Sequence, residues 1–169
     1  MTSRRLIAVA LAMAAIVADQ VTKAMIVAAP GLAEDHSAIR VLPFFSLVHW
    51  HNKGVSFGMF NGEQAADIQR WVLICLTLAI LGVLVRALAR ASEMLTIVSL
   101  GLIMGGAIGN LIDRFRLGSV TDFLYFHYQD KYDFPAFNVA DSCVCIGVGL
   151  MLLDGLGAGR KKSASFSDV

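Results

Sequence analysis

The stretch MLTIVSLGLIMGGAIGNLI, residues 94–112, decides the fold. It carries no charge, and it is followed at once by Asp113 and Arg114. About 20 mostly apolar residues, rising about 1.5 Å each, cross a hydrocarbon core of about 30 Å, so this run reads as a membrane span. Three more stretches qualify beside it. One covers about residues 6–29, is interrupted by Asp19, Gln20 and Lys23, and stops at Pro30, which cannot continue a helix. Another covers about 68–89, with Arg70 and Arg86 near its ends, where long basic side chains reach the interface. The last covers about 138–156, with Asp141 near its start and Asp154 near its end.

Composition agrees. Of 169 residues 57% are hydrophobic and only 16% charged, and mean hydropathy is +0.68, whereas a soluble domain has about 25% charged residues. A net charge of +1 leaves no basic face for displacing counterions from phosphate, which argues against a nucleic-acid partner. Length allows a single domain.

Basic residues in short loops orient the spans. Arg4 and Arg5 precede the first, Arg86 and Arg90 fall between the second and third, and Arg160, Lys161 and Lys162 follow the fourth. Those three places share one side, so both termini are expected in the cytoplasm and the loops 30–67 and 113–137 outside. Reading Arg4, Arg5 and the apolar run to Ala18 as a cleavable leader would leave three spans that break this pattern; a retained helix is expected. Val41, Phe44, Phe45, Val48, Trp50 and Phe57 give the first outward loop a β-branched and aromatic content, and residues 120–128 share it, so a small sheet on the outer surface is expected. The tail from about residue 160 reads as disordered. The fold expectation is therefore an all-α polytopic membrane protein of four transmembrane helices with an outward-facing β-sheet cradle.

Cys75, Cys143 and Cys145 lie inside spans, lack CxxC spacing, and read as small packing residues rather than zinc ligands. His49 and His51 alternate on a strand and would face one way, but no third ligand has recognisable spacing; His36 and His127 read as solvent-facing. No metal and no cofactor are expected.

Ionisable groups are costly inside a membrane, so each calls for a partner or a function. Here they gather at one depth: Asp19, Gln20 and Lys23 late in the first span, Asn110, Asp113 and Arg114 ending the third, Asn138 and Asp141 opening the fourth. Asp19 and Lys23, four apart, share a helix face and can pair. Gly105, Gly106 and Gly109 allow close helix packing. Asn138 and Asp141 have the spacing of N-cap and N3 in a capping box. Asp122 adds a second carboxylate in the strand-like segment 120–123. Two carboxylates brought close share one proton, and together they activate water and protonate a leaving amine without a metal.

Five motifs then resemble the bacterial lipoprotein signal peptidase (signal peptidase II) family: Asp19-Gln-Val-Thr-Lys23, Asn52-Lys-Gly-Val-Ser-Phe57, Gly105-Gly-Ala-Ile-Gly-Asn110-Leu-Ile-Asp113-Arg114, Val120-Thr-Asp-Phe123 and Phe137-Asn-Val-Ala-Asp-Ser142. They cover nearly the whole chain, in order. The resemblance implies an aspartic endopeptidase of the bacterial inner membrane that cuts prolipoproteins just before their diacylglyceryl-modified Cys, with Asp122 and Asp141 as the catalytic pair. It implies that Asn52, Gly54, Asn110, Asp113, Arg114, Asn138 and Ala140 line or brace the site and that Asp19 and Lys23 support it. Prolipoproteins and membrane lipids would be its partners, acting on a monomer. Asp122 is expected to hold the shared proton, with Asp141 as general base. The rival readings are a small transporter, which predicts charge spread through the membrane depth, a metal-dependent head-group transferase, and an inert assembly subunit.

Overall fold

A computed structural model describes residues 3–54, 63–128 and 132–156. Chain order is α1 (Ser3–Ala28), β1 (Ser37–Leu42), β2 (Phe45–Asn52), α2 (Glu63–Arg90), α3 (Met94–Leu117), β3 (Val120–Tyr128), β4 (Tyr132–Asp133) and α4 (Val139–Gly155). The four strands form an antiparallel sheet in sequence order. Residues 55–57 of the second motif, Phe57 of the expected outer sheet among them, and the tail from 160 lie outside the described residues.

Three helices, α1, α2 and α3, are long and apolar enough to cross a membrane. The fourth expected span is shorter than expected: α4 has 17 residues, because Asn138 serves as its cap and Leu156 closes its other end. Helix α3 runs on past residue 112 to Leu117 and stops on Gly118 in the left-handed region at φ 78°, its N–H bonded to the Arg114 carbonyl. Asp113 and Arg114 therefore belong to the helix and not to the outward loop. Falling hydropathy marked where the apolar run ends, while the backbone hydrogen bonds continued for more than another turn.

Large apolar side chains point outward along the helices, Met25 at 66%, Val83 at 67% and Leu152 at 65% exposure among them, as suits lipid. The inter-helix seams are built from small residues. A Cβ on Gly101 would come within 2.7 Å of the Ala8 carbonyl oxygen, and one on Gly105 within 2.7 Å of that of Ala12, so α1 and α3 touch backbone to backbone. Gly109 serves both neighbours of α3, facing the Asp19 carboxylate and the Ala140 methyl. The glycines thus act as the packing devices their spacing suggested. The cysteines do not: Cys75 and Cys145 are exposed, and Cys143 is only partly covered.

The two ends of the bundle differ. At one, Arg4 donates to the Ser92 carbonyl (2.9 Å), Arg5 to that of Ala89 (2.6 Å), and Thr96 to Asp154, gathering the start of α1, the α2–α3 connection and the end of α4. At the other, Ile26, Leu32 and Phe123 form a small core with Leu47, Leu124 and Val139 against it, seating the sheet on the end of α1. Arg70 ties α2 to the same end by donating to the Phe115 carbonyl (2.9 Å).

Candidate active site

Beneath the sheet, five elements, α1, β2, α3, β3 and α4, deliver polar side chains to one buried cluster. The start of α4 is its frame. Asn138 sits at the N-cap, its Oδ1 accepting the Asp141 N–H (2.9 Å), while Asp141 Oδ2 accepts the N–H of Asn138 (3.3 Å). This is the capping box anticipated from the spacing, and it satisfies two donors that a helix start otherwise leaves unpaired. A third, the N–H of Ala140, is taken by Asp19 Oδ1 from α1 at 3.0 Å.

With its oxygen turned to α4, the Asn138 amide nitrogen faces the sheet and donates to Asp122 Oδ1 (2.8 Å). The other oxygen of Asp122 accepts from Asn52 Nδ2 (2.9 Å). Register explains the latter bond: Trp50 pairs with Asp122 and Asn52 with Val120, so Asn52 ends β2 beside the start of β3. Gly54 sets the rotamer, since its N–H holds Asn52 Oδ1 at 2.8 Å and leaves the amide nitrogen for Asp122. Its φ of 109° suits glycine, and a Cβ there would strike Leu73 of α2 at 2.6 Å.

Asp141 Oδ1 accepts from Asn110 Nδ2 (2.7 Å), and Asn110 Oδ1 in turn accepts from Lys23 (3.1 Å) and Asn138 (3.2 Å). Lys23 lies 2.8 Å from both Asp19 and Asp113. Asp113 Oδ2 also takes the Thr121 N–H (3.1 Å), which fixes the start of β3. Asp19, Lys23 and Asp113 are all buried, and the one ammonium is shared between the two carboxylates. Arg114 lies near enough to Asp141, Asp122 and Asp113 for their charges to act on it. Every candidate residue named from the sequence is thus in or against one network. Two contributors had no role assigned from the sequence: Gln20, a member of the polar cluster, whose amide nitrogen bridges Asp113 (2.9 Å) and Asp19 (3.2 Å), and Thr121, whose carbonyl accepts from Asn138 (3.3 Å).

Burial pushes the Asp122 carboxyl up to about 6, and the charge of Asp141 adds to the rise; hydrogen bonds from Asn52 and Asn138 and the charge of Lys23 oppose it. A cavity of about 470 Å³ opens over Asp122, lined also by His36, Trp50, His51, Asn52, Pro135 and Ala136.

The histidines differ from expectation in one case. His36 is solvent-facing, but His127 is buried against the Ser46 hydroxyl (2.9 Å), because it alternates along β3 with exposed Phe126 and Tyr128. His49 and His51 do share a face, their rings 4.8 Å apart, yet His49 bonds the Leu32 carbonyl and His51 pairs with Asp35 at 3.0 Å. Among the described residues no three His, Cys, Asp or Glu converge as metal ligands.

Apolar helices that bury a carboxylate cluster at one end, under a small sheet, define a membrane-embedded protein of the polytopic class. Known proteins place it further. The model of the family described as signal peptidase (SPase) II matches residues 11–156. A lipoprotein signal peptidase of Symbiobacterium thermophilum is 44% identical over 94% of this chain and all of its own length. That of Tolumonas auensis is 44% identical over 86% of this chain and 87% of its own. A solved structure described as a bacterial membrane enzyme superposes with a TM-score of 0.75 at 29% identity, covering 95% of this chain and 94% of that one. The chain belongs to the signal peptidase II family, and it is accordingly a multi-pass membrane protease of lipoprotein processing.

Proposed function

We propose that this protease is an aspartic endopeptidase in which Asp122 and Asp141 share one proton and activate a water. The observation that carries the reading is that a single residue, Asn138, bonds one carboxylate through its side chain and the other through its backbone. Asp141 stands in the first turn of a helix, whose positive end favours the carboxylate, and makes it the general base. Burial raises Asp122 and makes it the partner that keeps the proton. In the reaction Asp141 takes a proton from water as its oxygen attacks the scissile carbonyl, Asp122 hydrogen-bonds the developing oxyanion, and the proton on Asp141 passes to the departing amine as the C–N bond breaks.

The substrate is a prolipoprotein cut just before its diacylglyceryl-modified Cys. Acyl chains held in the bilayer bring the bond to the depth of the dyad, so confinement in the plane replaces part of the positioning a soluble cleft supplies. Helix α4, about 25 Å long at about 1.5 Å per residue, makes the fourth crossing with small adjustment of the bilayer. Basic residues at the Arg4 end put both termini in the cytoplasm and the site at the outer face of the bacterial inner membrane. The enzyme works as a monomer with no cofactor.

The test is incubation of the purified protein with a diacylglyceryl-modified prolipoprotein, beside Asp122→Asn and Asp141→Asn. Cleavage before the modified Cys is expected from the wild type alone, unaffected by chelators. Cleavage by both variants would overturn the dyad, and loss with chelator would point to metal chemistry.

A further inference from the structure

On the far side of Lys23 from the dyad, a cleft of about 330 Å³ separates the ends of α1 and α3. Its walls are Ala24, Val27 and Ala28 of α1 and Leu117 of α3, its floor is Gln20, Lys23 and Asp113, and Arg116 stands at its rim. The floor has no charge to spare. Both oxygens of Asp113 accept internal donors, from Gln20 on one and from Lys23 and Thr121 on the other, and Lys23 is held between Asp113 and Asp19. Arg116 is different: it is exposed and has no hydrogen-bonding or ion-pair partner among the described residues. The walls are apolar and open outward, Val27 at 43% and Leu117 at 55% exposure. Both belong to helices long enough to span a bilayer, and both lie in the last turns of those helices.

We propose that this cleft binds a phospholipid of the surrounding bilayer with an anionic head group, its phosphate on the Arg116 guanidinium and an acyl chain along Val27 and Leu117. A guanidinium presents paired N–H donors that match two phosphate oxygens. Charge complementarity and the apolar approach from the lipid side select this occupant over a soluble anion, which would gain nothing from the walls. The bound lipid is distinct from the substrate and lies against Asp113 and Lys23, of which Lys23 donates to Asn110.

Native mass spectrometry of the detergent-purified full chain, after exchange into mixed phosphatidylglycerol and phosphatidylcholine, tests the proposal without reference to catalysis. The wild type should retain phosphatidylglycerol in preference to phosphatidylcholine. Arg116→Gln should lower that retention about fivefold, as expected for one basic group at a membrane surface, Arg116→Lys should keep part of it, and Arg40→Gln on β1 should leave it unchanged. Equal retention by Arg116→Gln, equal loss in Arg40→Gln, or no preference for phosphatidylglycerol would each overturn the proposal. Displacement of the lipid by millimolar inorganic phosphate would overturn it too, assigning the cleft to a free anion.

Discussion

Asp19 and Ala140, 121 residues apart in the chain, are joined by a 3.0 Å hydrogen bond in which a carboxylate of the first helix caps the last. The same carboxylate is the 2.8 Å partner of Lys23 and is fully buried. Replacing it therefore leaves a helix N–H without an acceptor and weakens the compensation of a buried cation. Asp19→Ala should cost about 3–5 kcal/mol, read as a lowered unfolding midpoint in detergent, with Asp19→Asn costing less. An unchanged midpoint in Asp19→Ala would contradict this.

The raised Asp122 carboxyl has a consequence for stability against pH. Its folded value of about 6 stands above the ordinary 3.8, so the folded state binds the proton more tightly than the unfolded one. The resulting stabilisation is complete below about pH 4 and is lost as pH rises through 6, amounting to about 3 kcal/mol. The informative quantity is the difference between wild type and Asp122→Asn. The wild type should lose stability relative to this variant between pH 4 and 6 and run parallel to it above 7. Parallel curves across the whole range would show that Asp122 titrates normally.

Asn52 donates to the charged form of Asp122 and so holds its proton affinity down. Asn52→Ala should raise that affinity and carry the basic limb of the kcat/KM profile to higher pH, while Asn52→Asp, which brings a like charge, should carry it further. A limb that stays in place while kcat falls would assign Asn52 a purely steric part.

Close packing makes a sharp prediction at the seam between α1 and α3. A methyl at Gly105 would meet the Ala12 carbonyl oxygen, Ala12 Cα and Ala15 Cβ at 2.7–2.8 Å, whereas one at Gly82 of α2 meets nothing within 4 Å. Gly105→Ala should destabilise by about 1–3 kcal/mol. Gly82→Ala should be neutral or stabilising, because alanine is the better helix former by about 1 kcal/mol. Thermal unfolding of the pair in one detergent checks both; equal effects would mean the seam is looser than these distances.

Much of this architecture is local and so was readable. The pairing of Asp19 with Lys23 and the box made by Asn138 and Asp141 depend on spacing along one helix, and spacing is what a sequence displays. Helix α3 runs beyond the apolar span that ends at 112 because charge at Asp113, Arg114 and Arg116 ends hydropathy and not the helix, which stops on Gly118. His127 was misplaced because its residue type outweighed strand alternation, and its partner, Ser46, comes from another strand. The bonds made by Gln20 and Thr121 are hidden from the sequence for a related reason. Their value lies in bonds to residues 93 and 17 positions away, and nothing in the neighbouring sequence sets them apart.

The placement of Lys23 one turn from Asp19 also bears on biogenesis. A span carrying a lone charge resists transfer from the translocon into lipid, but the part of α1 beyond Arg5 brings its own counterion and can enter as a formally neutral segment before the rest of the chain is made. Asp113 and Asn110 arrive later on α3 as further partners for Lys23, and the Ala140 N–H later still as a further partner of Asp19. Each step of insertion thus completes a bond left open by the one before, and Asp122 and Asp141 come together only once the last helix is in place.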